Sequence, residues 1–249
     1  MNQQLLPFNY DQAAYFYDTL ELDTELNERI VDGLLKVLGE TDVKKVWDAA
    51  CGTGAQSIPL AEKGYDLVGS DICQSMISIA RSKAELSFHE GDMCSFNPGH
   101  CDAVIVMMNS LGHISKSEMK SALKNFASSL DEGGILIGDA DNRKYLEEFL
   151  TDEPFISRVK FIETEKYIRK TQAHKMKDGI YEVSDIWMKG SFVTYEGTCE
   201  VQSWYKEELE ELLFASGFKS IKWFTRTFSS LGCLAESESD SLLFVAKKS

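Results

Sequence analysis

Long apolar runs are missing from this sequence of 249 residues, and so is any surplus of positive charge. No run approaches the ~20 residues that a membrane-spanning helix needs. Residues 1–10 have neither a basic start nor an apolar core, so no secretory leader is expected and the protein should be cytoplasmic. Lysine and arginine number 26 against 40 aspartates and glutamates, a formal net charge of −14, which sets the chain against nucleic-acid phosphates. Its richest basic stretch, Lys160 to Lys177, is interrupted by Glu163 and Glu165 and reads as a solvated strand face. The six cysteines, Cys51, Cys73, Cys94, Cys101, Cys199 and Cys233, contain no C-x-x-C pair, and His89, His100, His113 and His174 have no ligand spacing to them. Reduced thiols and no metal are expected.

What is present is a globular composition, 43% hydrophobic and 11% aromatic, long enough for one large α/β domain or one with an insertion. The stretch from Val46 to Gly54 (V-W-D-A-A-C-G-T-G) carries the clearest signal. Val43, Val46 and Trp47 make a buried strand; Gly52 and Gly54 permit a tight turn with close approach to a ligand, and a helix follows over Ala55 to Glu62. Backbone amides at such a helix start form a ligand cradle. A second apolar strand, Asp66 to Ser70, ends in Asp71, about 20 residues beyond the glycines, where a ribose-binding acid is expected. The third glycine of a dinucleotide fingerprint is replaced by Ser57.

D-A-A-C-G-T-G followed by a strand-end Asp71 resembles the S-adenosylmethionine site of the class I methyltransferases. Gly91-Asp92-Met93 after the third strand resembles the place where those enzymes contact adenine, and Asp102 to Met108 reads as the fourth strand. The aromatic start, with Tyr10-Asp11 and Tyr17-Asp18 around Ala13, resembles the Y-D-x-x-A-x-x-Y-D cap of small-molecule methyltransferases; it also suits a helix packed by its rings onto the body.

The order of elements is that of a doubly wound α/β protein. Helix Thr24 to Leu38 precedes strand one (Val43 to Asp48). Strand two, helix Gln74 to Lys83, strand three (Leu86 to Glu90), strand four, helix Lys116 to Leu130 and strand five (Ile135 to Asp139) follow. Apolar runs such as Ala103 to Met107 suit strands covered on both faces. Between Tyr145 and Tyr205, β-branched and aromatic residues alternate with charges in three stretches, Phe161 to Thr171, Gly179 to Met188 and Phe192 to Trp204, with Lys177-Asp178-Gly179 as a hairpin turn. Helix Lys206 to Ser216, strands Phe218 to Phe228 and Leu242 to Lys247, and a loop Ala235 to Ser241 end the chain. The resemblance implies a mostly parallel, seven-stranded, Rossmann-like sheet with an inserted antiparallel flap. Residues 1–145 and 205–249 form the donor-binding domain, 1–22 its cap, and 146–204 the flap.

For the donor, the resemblance implies contacts from Asp48, Ala50, Gly52, Thr53, Gly54, Met76, Met107, His113 and Tyr17. It places the ribose on Asp71 and the adenine between Ile72 and Met93, with Asp92 taking the adenine amino group. For the acceptor, Asn109-Ser110-Leu111-Gly112-His113 and Asp141-Asn142-Arg143-Lys144-Tyr145 resemble the N-S-x-x-H and D-x-R-N-Y segments of the glycine and glycine/sarcosine N-methyltransferases. Asn109 and Arg143 would then hold an amino acid, and Tyr10 would position it; an arginine offers a carboxylate a planar two-point clamp. The chain departs from that pattern at Lys144, at Met93 and near Leu26, where Arg29 lies one turn on. Methylation of glycine or sarcosine, extending to dimethylglycine and betaine, is the first expectation. An amino sugar or small carboxylate acceptor, a donor-binding protein without catalysis and a nicotinamide enzyme are the alternatives; assembly into a homo-oligomer stays open.

Overall fold

The structure, a computed structural model, describes residues 5, 7–151, 153–225 and 239–249. Seven strands form one sheet in the order β10-β11-β5-β4-β1-β2-β3: β1 (Lys45–Asp48), β2 (Asp66–Asp71), β3 (Ser87–Glu90), β4 (Cys101–Val106), β5 (Leu130–Asp141), β10 (Phe218–Phe224) and β11 (Ser241–Lys248). The first five run parallel, and β11 pairs antiparallel with both β5 and β10. Successive strand residues point to opposite faces, and here both faces are core. Trp47, Val104, Leu136 and Phe244 pack on one side with Phe126 of α5 (Lys116–Ser129) and Leu213 of α7 (Lys206–Ala215). Val46, Ile105, Ile137 and Leu243 pack on the other with Ile30 and Leu34 of α2 (Thr24–Gly39) and Ile77 of α4 (Gln74–Lys83). That double burial is why the strands read as unbroken apolar runs.

Helix starts carry their own signals. Asp23 caps α2 by accepting from Leu26 N at 3.0 Å, and Ser115 and Glu118 close a reciprocal box at the start of α5. The helix after the glycine turn, α3, begins at Ser57 and runs to Glu62, two residues later than its sequence suggests, because residues 50–56 are spent on the turn.

Between α6 (Arg143–Phe149) and α7 lies a separate antiparallel sheet, β6 (Phe155–Ile162), β7 (Glu165–Lys175), β8 (Ile180–Lys189) and β9 (Phe192–Gln202), paired in sequence order. The expected hairpin at Asp178-Gly179 is present, with both residues at positive φ (58° and 80°) and Ile180 N bonded to Lys177 O. The flap has four strands where the sequence suggests three. Likewise β5 starts at Leu130, so Gly133-Gly134 lies inside a strand: a Cβ on Gly134 would meet Asp102 O at 2.9 Å. The expected strand to Phe228 is described as far as Phe224. Residues 226–228, Cys233 and most of the expected loop Ala235 to Ser241 fall outside the described residues.

The aromatic start forms α1 (Tyr10–Phe16), continued by a π-helical turn over Tyr17–Glu21. Ala14, Tyr10 and Tyr17 pack on Cys73 and Met76 at the start of α4. Ala13, Phe8, Phe16 and Leu20 pack on Trp187 and Tyr195 of the flap. No helix among the described residues is long and apolar enough to cross a membrane.

Candidate active site

The turn after β1 and the C-terminal ends of β2, β3 and β4 border a cavity of about 620 Å³, with α1 and the residues before it as its roof. This is the edge where open parallel sheets bind ligands. Gly52 and Gly54 take φ of 52° and 82°, conformations that L side chains rarely adopt. A Cβ added at Gly52 would meet nothing within 4 Å, so the backbone there is open to a ligand, whereas one at Gly54 would press on Ile58 and Phe88 at 3.1 Å. The first glycine opens the cradle and the second packs it.

Asp71 organises the floor. Its Oδ2 accepts Gly52 N and its Oδ1 accepts Cys73 N, each at 2.9 Å, so the carboxylate fixes the glycine turn while retaining lone pairs for a ligand. Burial nonetheless pushes its pKa up. Beside it Ile72 is 70% exposed on the cavity rim, an unusual position for a large aliphatic side chain unless something apolar lies on it. Met76, Met93, Met107 and Ala50 add further apolar wall. Asp92 accepts from Cys94 N at 2.8 Å, and Glu118 from Ser115 N at 2.7 Å.

Tyr10 Oη of the roof and His113 Nε2, in the turn after β4, lie 3.0 Å apart, with the rings edge-on at 5.6 Å. His113 Nδ1 is buried without a partner. Burial drives the imidazole down to about 4, so it is neutral at pH 7; burial and nearby acids push the Tyr10 phenol well up. Neither group is a base of useful strength near neutrality. Burial also pushes Tyr17, another wall residue, up to about 12.

Polar contacts hold the roof down on both sides. On the body side, Asp18 accepts Thr53 Oγ1 at 2.6 Å and pairs with Lys83 at 2.5 Å, while Lys83 donates to Thr53 O at 2.8 Å. Asp11 accepts Ser75 Oγ at 2.7 Å, which together with Cys73 lowers its pKa. On the flap side, Arg169 bridges Asp185 at 2.6 Å and Glu21 at 3.0 Å, and Trp187 Nε1 donates to Glu21. Arg158 donates to Glu21 O, and Lys160 donates to Thr19 O and Leu22 O.

Of the residues named from the sequence, Tyr10, Tyr17, Ala50, Gly52, Thr53, Asp71, Ile72, Met76, Asp92, Met93, Met107 and His113 line the cavity; Asp48, Gly54, Asn109 and Arg143 do not. Asp48 is buried beneath the turn, where it accepts Ser57 Oγ at 2.6 Å and is pushed up to about 7, chiefly by burial. The residue in place of a third glycine thus anchors the acid before the first. Asn109 is spent on Asp141, backbone and side chain both: Oδ1 accepts Asp141 N at 2.9 Å and Nδ2 donates to Asp141 Oδ2 at 2.7 Å. Arg143 donates from Nε to Glu147 at 2.9 Å and lies over the Tyr205 ring at 4.6 Å. The expected clamp is therefore closed on partners of its own.

Asp11, Phe8, Leu22, Cys94, Ser110 and Glu118 line the cavity without having been singled out as site residues. Asp11 was visible as the second letter of the first Y-D pair, and Glu118 as the fourth residue of a Ser115 capping signature. Phe8 and Leu22 have no local signal. Among the described residues the lining includes four carboxylates, Asp11, Asp71, Asp92 and Glu118, and no lysine or arginine.

Residues 46–134 match the family described as Methyltransferase domain. The methyltransferase-family protein YqeM of Bacillus subtilis (strain 168) is 30% identical over 216 residues, which cover 82% of this chain and 84% of that protein. Human glycine N-methyltransferase is 32% identical over 134 residues, 45% of each chain. Among solved structures, CalS10 from Micromonospora echinaspora, an amino pentose methyltransferase with S-adenosylmethionine bound, superposes with a TM-score of 0.76 at 20% identity, covering 98% of both chains.

Proposed function

The chain belongs to the class I S-adenosylmethionine-dependent methyltransferases, and from that premise we propose that it methylates the amine of a small molecule that carries no carboxylate, of the amino-sugar kind. The observation that carries this reading is the lining of the cavity: four carboxylates and, among the described residues, no lysine or arginine. An amino acid brought into it would add a second carboxylate, beside the donor's own, to a lining that offers neither of them a cationic side chain. A cationic donor and a basic amine suit the same lining.

The residues fit the donor. A volume of about 620 Å³ lies in the roughly 300–1,000 Å³ range of small-molecule sites, and the open backbone at Gly52 beside Asp71 makes a cradle. Asp71 would take the ribose hydroxyls, Ile72 and Met93 the adenine faces and Asp92 its amino group. Ala50, Gly52, Thr53, Met76, Met107 and Tyr17 would enclose the remainder. When bound, S-adenosylmethionine supplies a methyl group on a cationic sulfur, open to attack from the side opposite that sulfur.

The protein's part in the transfer is positioning and exclusion of water. Tyr10, fixed by His113, presents its phenol oxygen from the roof to orient an N–H of the acceptor. The ammonium proton of the acceptor must pass to solvent or to a carboxylate of the lining before attack, a loss that a basic amine can make near neutrality, whereas a hydroxyl acceptor would need a far stronger base than His113 or Tyr10. The residues 146–204 we assign as the acceptor-side unit, since its strands hold the roof.

A second reading, glycine or sarcosine, is favoured by the likeness to glycine N-methyltransferase over part of the chain and by the N-S-x-x-H and D-x-R segments. It requires Arg143 to leave Glu147. Mass-spectrometric assay with S-adenosylmethionine and, separately, an amino sugar, glycine, sarcosine and dimethylglycine tests both. Turnover of the amino sugar alone supports the first; methylated glycine or sarcosine replaces it with the second.

A further inference from the structure

The donor carries a carboxylate, and the cavity lining gives it no counter-charge, since among the described residues that lining includes no lysine or arginine. In the proposed pose the adenine lies beyond the ends of β2 and β3, so the amino-acid tail runs the other way along the strand order, over the turn after β1. There Leu22, Ala55 and Gln56 line the cavity. They meet the first turn of α2: Asn27 donates to Ala55 O at 3.1 Å and accepts from Gln56 Nε2 at 2.6 Å, and Leu22 directly precedes the helix cap Asp23. The start of α2 brings no cation inward. Its Arg29 side chain is 62% exposed and turned to Glu25 at 3.4 Å.

The flap brings two. Arg158 and Lys160 of β6 donate to Glu21 O and to Thr19 O and Leu22 O, which sets both cations behind the wall that Leu22 presents to the cavity. Their own counter-charge is thin. Among the described residues Lys160 has no carboxylate within ion-pair distance, and Arg158 has only Asp23, at 3.8 Å and 42% exposed. Glu21, the other acid close by, is taken by Arg169 and Trp187. Burial and the neighbouring Arg158 push the Lys160 ammonium down. The Tyr17 phenol of the cavity wall, raised chiefly by burial, also feels Asp71 and Arg158. Two cations side by side with one half-exposed acid leave a surplus of positive potential at this end of an otherwise anionic cavity, and in a low-dielectric interior that potential acts across the width of a single residue.

We propose that Arg158 and Lys160 of the flap are the counter-charge for the carboxylate of S-adenosylmethionine, an assignment that rests on the donor pose given above. The unit assigned to the acceptor then also holds the donor's tail, and the donor is bound fully only when flap and roof are in place.

Isothermal titration of the full-length protein with S-adenosylhomocysteine and with its decarboxylated analogue, which keeps the ammonium, tests this. Arg158→Gln and Lys160→Gln should each weaken S-adenosylhomocysteine about tenfold. The same variants should leave the analogue's Kd within about threefold of wild type or lower it, because removing a cation relieves the analogue's ammonium. Arg158→Lys keeps the charge and should recover most of the lost affinity. Both side chains also tie down the roof, and a purely structural role predicts equal losses for the two ligands. Equal losses overturn the assignment, as does unchanged affinity for S-adenosylhomocysteine in both glutamine variants. Wild type that binds neither ligand refutes the donor pose itself, a failure visible before any substitution is made.

Discussion

Asp71→Asn isolates the floor of the cavity. The wild-type carboxylate accepts two backbone N–H groups, from Gly52 and Cys73, and under the proposed donor pose two ribose hydroxyls as well. Asparagine keeps the shape but replaces one acceptor oxygen with a donor and removes the charge. Hydrogen bonds to a charged group contribute about 1.5–3 kcal/mol each, so loss of both ribose contacts should weaken donor-site binding by roughly 3–6 kcal/mol. At about 1.4 kcal/mol per decade that is about two to four orders of magnitude in Kd. Isothermal titration with S-adenosylhomocysteine measures it. The same variant also disturbs the glycine turn, so a second titration with the 2′,3′-dideoxy analogue is needed: the turn effect acts on both ligands, the ribose effect only on the first. Affinity within about threefold of wild type, or equal losses for both ligands, refutes the ribose assignment.

Asp48 should leave a signature in stability against pH. Its folded pKa is raised from 3.8 to about 7, so the folded chain holds this proton more tightly than the unfolded one, and stability rises as pH falls through the interval between those values. Asp48→Asn keeps an acceptor for Ser57 and removes the titration; thermal melts should show it more stable than wild type at pH 8, by up to ~4 kcal/mol, and level with it near pH 4. Asp18→Asn breaks the half-exposed pair with Lys83, so stopped-flow displacement should show the donor product leaving about two- to fivefold faster at low salt, the difference shrinking in 0.5 M chloride, in keeping with ~0.5–1 kcal/mol for such a pair. Arg143→Ala should leave the KM for an amino-sugar acceptor within about threefold of wild type and lower the melting temperature, because its partners are Glu147 and Tyr205. A large rise in KM for glycine in that variant argues for the second reading instead.

The sheet was legible because its strands are covered on both sides: Val46, Trp47, Val104, Ile105, Leu136 and Ile137 alternate between two cores, and no register leaves a polar face. The flap was harder, and β6 shows why. A half-buried strand ordinarily turns its apolar residues inward. In β6 inward Ile162 packs under the roof, but its inward neighbours Arg158 and Lys160 are cations that cap carbonyls at the end of the π-helical turn, and the outward residues are Val159 and Phe161. With the polarity reversed, the segment reads as neither strand nor core. The glycine pair in β5 misleads in another way: Gly134 is there for close approach to the backbone of β4, which looks in sequence like a break.

The site divides along the same line. Most of the residues named from the sequence at the ends of β1, β2 and β4 line one cavity, Asp48 and Gly54 excepted. Asn109 was not placeable that way, because its side chain answers to Asp141, 32 residues on, across a loop whose Met108 and Asn109 both take positive φ. Arg143, expected as a clamp, answers instead to a local rule: Glu147 stands four residues on in the same helix, the spacing at which opposite charges meet, and the guanidinium lies against it. The roof depends on contacts that no local pattern reveals. It is tied to the body by Asp18 and Asp11 and to the flap by Glu21 and the turn carbonyls, so the cavity is closed only when sheet domain and flap hold α1 together. Closure is therefore a property of three segments far apart in the chain, and the acid-lined cavity they border suits the sulfonium of the donor.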